Sequence, residues 1–138
     1  MQATARGEFS VESWDEKTYQ ELEGGAKLTR AHIRQRFTGD LEGQGDWEAL
    51  MCYRTDGTAT YVGFVRIEGR LGGRSGTFVA RTTGGYDGKE ARWSLSVVAG
   101  SGTGELEELA GDGEAAAPHG PKGSWHLSWS ESRDVQHT

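Results

Sequence analysis

Between Lys27 and Thr38 the chain alternates, with Ala31, Ile33, Gln35 and Phe37 on one face and Arg30, His32, Arg34 and Arg36 on the other. Successive side chains leave a β-strand on opposite faces, so a period of two marks a half-buried strand and argues against a helix. Alternating runs recur at 7–14, 46–54, 58–68, 76–83, 90–99, 114–117 and 124–130. Glycine punctuates them: the chain has 22 Gly and only two Pro, spread without a collagen-like period. Thr55-Asp56-Gly57 and Asp87-Gly88 are hairpin signals, because Gly accepts the positive φ that tight hairpin turns require. Gly39-Asp-Leu-Glu-Gly43 and Gly69-Arg-Leu-Gly-Gly73 share a spacing and read as two further turns. About eight strands joined mainly by hairpins, in a chain of this length, make one all-β domain, a barrel or a sandwich. The domain is expected over 1–131, with 132–138 a frayed tail.

Two stretches depart from the pattern. Asp15–Gly25 is polar and reads as a long loop, with Glu16–Leu22 able to form a helical turn. Residues 100–113 read as a Gly-rich turn followed by one helical turn at Glu105–Leu109.

Composition narrows the function classes. The net charge of −6, from 21 acids against 15 bases, speaks against a general nucleic-acid binder. No stretch is apolar enough to span a bilayer and the N-terminus lacks the apolar core of a signal peptide, so a cytoplasmic protein without a membrane partner is expected. Cys52 stands alone, which excludes an intramolecular disulfide, and its apolar neighbours predict a buried, inert thiol.

Strand parity predicts an interior built from Phe9/Val11, Ile33/Phe37, Trp47/Met51/Tyr53, Tyr61/Val65/Ile67, Phe78/Ala80, Trp93/Leu95/Val97 and Trp125/Leu127/Trp129. In a closed eight-stranded barrel such side chains either fill the lumen or line a cavity for one small ligand. Leu50, Val62, Phe64 and Val98 fall on the outer face, to be covered by the 15–25 loop or by a second subunit, as in a homo-oligomer.

Several segments occur in one order: Phe9-Ser-Val-Glu-Ser-Trp-Asp-Glu16, Lys27-Leu-Thr-Arg-Ala31, Leu50-Met-Cys-Tyr-Arg54, Asp56-Gly-Thr-Ala59, Leu71-Gly-Gly-Arg-Ser-Gly-Thr-Phe-Val79 and Gly100-Ser-Gly-Thr-Gly-Glu-Leu106. Together they resemble a bacterial family of unknown function whose members look like allene oxide cyclase barrels. The glycine-rich segment Gly102–Gly111 is also similar to a crossing in allene oxide cyclase and dirigent barrels. The resemblance implies a closed antiparallel barrel but no reaction, because one barrel hosts unrelated chemistries. Members of that family carry an acid just before the Arg66 position and a Gln-His pair late in the next strand. Here those places hold Val65, Arg81 and Thr82, so an acid/base role is not inherited.

Other constellations resolve to structure. Gly100–Gly104 lacks the helix and Lys of a phosphate loop. His32, His119, His126 and His137 share no metal-ligand spacing, so neither a metal nor another cofactor is expected. Arg30, Arg34 and Arg36 read as a solvated strand face, and Glu105, Glu107, Glu108, Asp112 and Glu114 as a solvated loop. No Gly-x-Ser-x-Gly elbow is present.

What remains is the aromatic interior. Trp47, Trp93, Trp125 and Trp129 would shape a site for a hydrophobic small molecule, with Gln35 and Thr82 as polar company. Tyr53 and Tyr61 are the candidate catalytic residues, donating hydrogen bonds to a carbonyl as charge develops. With almost no ionisable group predicted inside, catalysis would rest on folding the substrate into a reactive shape, as a cofactor-independent isomerase or cyclase. A non-catalytic carrier barrel and an interaction module with a filled core are the alternatives.

Overall fold

The structure, a computed structural model, describes residues 2–131; the tail beyond Glu131, with His137, lies outside the described residues. Eight strands follow one another: β1 (Gln2–Glu21), β2 (Lys27–Gly39), β3 (Leu41–Tyr53), β4 (Ala59–Leu71), β5 (Arg74–Tyr86), β6 (Ala91–Val97), β7 (Leu109–His119) and β8 (Lys122–Glu131). Each pairs antiparallel with the next. β8 pairs back onto β1 from Gln2↔Ser130 to Ser10↔Lys122, which closes the barrel. The expected all-β barrel is the fold observed.

Parity holds along most of the wall. Ala31, Ile33, Gln35 and Phe37 are buried while Arg30, His32, Arg34 and Arg36 are exposed. Inside, large and small residues complement one another. A Cβ on Gly45 would lie 2.8 Å from the Phe37 ring, and one on Gly123 would lie 2.6 Å from the Phe9 ring. Glycine at these positions leaves room for the rings against the neighbouring strand.

The 15–25 segment is not a loop. β1 runs through it to Glu21, paired with β2 at Glu16↔Ala31 and Thr18↔Thr29, and only Glu23–Gly25 forms a short 3-10 turn. Two register shifts, at Val11/Ser13 and Thr18/Gln20, interrupt the ladder. Each bulge moves the inward side chains by one position, so the regular alternation breaks and the segment looks irregular in sequence. Phe9 and Val11 face inward below the first bulge. Above it the inward register passes to Trp14 and Glu16, opposite Ile33 and Ala31, with Trp14 half exposed where it lines the open cavity.

The 98–108 segment also does more than turn. Beyond the end of β6 it still follows β5, with Val98 N donating to Val79 O (2.8 Å) and Thr103 N to Thr77 O (2.8 Å). Its helical turn is Gly104–Leu106, earlier than the expected Glu105–Leu109, and β7 is longer than the expected 114–117. Leu106 and Leu109 are buried and help fill that end of the barrel.

Outside, Leu50 and Val62 are cross-strand partners and, with Phe64, are about half exposed. The 15–25 segment, being part of the wall, does not cover them. Cys52 shares this outer face and is exposed, which corrects the expected buried thiol. Parity decides the point: Met51 and Tyr53 take the inward positions of β3, so Cys52 between them must point out, whatever its neighbours' hydropathy.

Candidate functional site

The two halves of the lumen differ. In one half, Phe37, Leu41, Ile67, Phe78, Leu95 and Leu127 leave a gap of only about 20 Å³. In the other half, ringed by the ends of β3, β5 and β7 and the starts of β4 and β6, an open cavity of about 740 Å³ remains. That volume suits a small organic ligand.

A belt of aromatic rings separates the halves. Trp47 and Trp93 lie 4.9 Å apart, Trp93 and Phe9 5.5 Å, Phe9 and Phe37 6.3 Å, and Phe37 meets Trp125 edge-on at 6.4 Å. Tilted and edge contacts of this kind each add about 0.5–1.5 kcal/mol beyond area burial. Trp47 is fixed further, because its Nε1–H donates to Thr82 Oγ1 at 3.0 Å. The belt is therefore a rigid floor.

Two buried polar side chains reach the cavity without a protein partner. Gln35 is 2% exposed, and Tyr61 8%. Both line the cavity, and neither side chain makes a hydrogen bond among the described residues. No fully enclosed side-chain N or O among the described residues lacks a partner, so the polar atoms of both must touch the open space. Burial pushes the Tyr61 hydroxyl up to about 12, helped by the neighbouring Tyr86 and the carboxylates of Asp87 and Glu16. At neutral pH it is a donor.

Tyr53 is different, because its proton is engaged. Its hydroxyl donates to Glu16 Oε2 at 2.6 Å; Thr29 Oγ1 donates to the same oxygen at 2.6 Å, and Trp14 Nε1 donates to Oε1 at 2.8 Å. Desolvation works to raise the Glu16 pKa. The three donors and the nearby Lys27 ammonium outweigh it, so the carboxyl sits below its ordinary value. Burial first, then the adjacent carboxylate, drives the Tyr53 hydroxyl well upward. Carboxylate and phenol are thus both locked in their neutral-pH states, and the pair is a poor proton shuttle.

The sequence-predicted residues divide accordingly. Gln35, Trp47, Tyr53, Tyr61 and Trp93 come together on the cavity wall. Thr82 stands behind Trp47 as its hydrogen-bond acceptor. Trp125 lies on the packed side of the belt, with its indole N–H donating to Glu8 O at 3.2 Å. Trp129 lies elsewhere, under the Arg74 guanidinium. Neither lines the cavity, because both occupy β8 positions beyond its start. Glu16 was missed, and with it the carboxylate on the site's edge. The one available signal was the i, i+2 pair Trp14/Glu16 after a bulge, hidden in a stretch read as loop.

Comparison with known proteins agrees with this architecture. Residues 5–129 match the pattern of a protein family described as "protein of unknown function (DUF3224)". The chain belongs to the DUF3224 family. A crystal structure of a DUF3224 protein of unknown function from Shewanella oneidensis MR-1 superposes on this DUF3224 barrel with a TM-score of 0.80 at 28% identity. The match covers 95% of this chain and 98% of that one. No curated protein matches this DUF3224 chain. Among the described residues no helix is long and apolar enough to cross a membrane.

Proposed function

We propose that this DUF3224 barrel binds one small, uncharged, largely apolar molecule in its open half. The observation that carries the reading is Gln35, an almost fully buried amide with no protein partner at the cavity. Its polar atoms open only onto the cavity, so whatever fills that space must supply their hydrogen bonds. A ligand's polar group would serve as that partner, while the Trp47 and Trp93 faces take its apolar body. The lining is mainly aromatic and aliphatic, and its charged side chain among the described residues, Lys89, is exposed to solvent, which favours a largely apolar, uncharged guest.

The test is titration with the neutral fluorophore N-phenyl-α-naphthylamine. Saturable one-to-one binding is expected, and it should be lost in Ala91→Trp, which blocks the cavity from a half-buried lining position. Non-saturable binding, or equal binding by the variant, would sink the reading.

The free hydroxyl of Tyr61 favours a second reading, templated isomerisation or cyclisation. A donor already aimed into an apolar cage would stabilise negative charge growing on a carbonyl without a proton being transferred. Mass and chromatographic retention of a bound candidate distinguish the two readings. Unchanged mass with shifted retention indicates an isomerase, and no change in either indicates a carrier.

A further inference from the structure

Tyr53 and Tyr61 sit on adjacent strands, diagonal to one another across the Met51↔Tyr61 and Tyr53↔Ala59 pairs. Their hydroxyls are chemically alike and their surroundings are not. An ionised carboxylate can only accept, so the Tyr53 proton must lie on the Glu16 side. The thioether of Met51, 3.4 Å from the same hydroxyl, is too weak an acceptor to compete. With its proton committed, Tyr53 has only lone pairs left to offer. Tyr61 has no such partner and keeps its donor.

We propose that Glu16 sets the hydrogen-bond polarity of the cavity, leaving Tyr53 an acceptor beside the Tyr61 donor, so that the ligand carries a hydroxyl or N–H group next to a carbonyl-type acceptor. The inference rests on the ligand-binding reading and narrows it to a chemical class, hydroxy ketones and their amide or enol analogues. Glu16 acts here as a positioning residue, through Tyr53.

Replacement of Glu16 by Gln makes the idea testable. Trp14 Nε1 can only donate, so the new carbonyl must stay on the Trp14 side. The new NH2 group then faces Thr29 and Tyr53 and donates to the Tyr53 oxygen. That releases the Tyr53 proton toward the cavity, turning an acceptor into a donor in a side chain of nearly the same size.

The probes are benzoin, a neutral molecule with a hydroxyl beside its ketone, and benzoin methyl ether, in which a methyl group replaces the hydroxyl hydrogen and removes the donor. Calorimetric titration of the wild-type protein should show benzoin binding about tenfold tighter than the ether, the usual scale for one buried hydrogen bond. In Glu16→Gln that preference should vanish or reverse, and in Tyr53→Phe it should vanish. Equal binding of the two probes by the wild type overturns the polarity assignment and leaves ligand binding standing. So does an undiminished preference in Glu16→Gln or in Tyr53→Phe; the latter decides the matter if the former does not fold. Saturable binding of neither benzoin nor its ether, in a protein that does bind N-phenyl-α-naphthylamine, overturns the hydroxy-ketone class alone. Binding of none of the three overturns both readings.

Discussion

Tyr53 donates its phenolic proton to Glu16 across 2.6 Å, joining two residues 37 positions apart. The contact exists because β1 continues past its first bulge alongside β2, which is itself paired with β3. It gives the open end of the barrel a fixed pattern of charge and hydrogen bonding rather than a ring of interchangeable polar groups.

Alkaline stability should report on the two cavity tyrosines. The Tyr61 hydroxyl is raised from 10.0 to about 12, and Tyr53 is raised as well. A raised folded-state value means that the unfolded chain loses its proton first. Stability is therefore full below 10.0 and falls as pH rises from there toward 12. Urea midpoints measured across this range should drop, and drop less steeply in Tyr61→Phe. A midpoint independent of pH there would contradict the burial of these hydroxyls.

Gln35→Met should stabilise the ligand-free protein. It replaces an unpartnered amide by an apolar side chain of similar size over the aromatic floor. A gain of about 1 kcal/mol is expected from urea unfolding, with the slope unchanged. A loss of stability would show that the amide already has a stabilising partner.

Thr82→Val should destabilise by about 1–3 kcal/mol although the two side chains have nearly the same shape, because it strands the buried Trp47 N–H. The same urea experiment reads it. A neutral effect would mean that the indole finds another acceptor or water, and the floor would then be less rigid than described.

Cys52 should react with dithionitrobenzoate in the folded protein, without denaturant, to one equivalent. It lies exposed on the outer face of β3. A thiol that reacts only after unfolding would place it inside a solution oligomer, covered together with Leu50 and Val62.

The sequence alone determined the strand count, the hairpin order and the interior of most of the wall. Alternation and turn glycines are local signals, and parity transmits them directly to burial, as Ile33, Trp47, Tyr61 and Trp93 illustrate. Five of the eight named site residues came together for that reason. Only the tertiary structure decided the rest. Parity says that a side chain faces inward and nothing about its height in the lumen, so Trp125 and Trp129 could not be separated from Trp47 in advance. A bulge is one extra residue whose meaning depends on the partner strand, so Asp15–Glu21 read as loop until its pairing with β2 was known. Glu16 reaches Tyr53 through that pairing. The site's polarity is set by a contact between distant segments, and no local pattern encodes it.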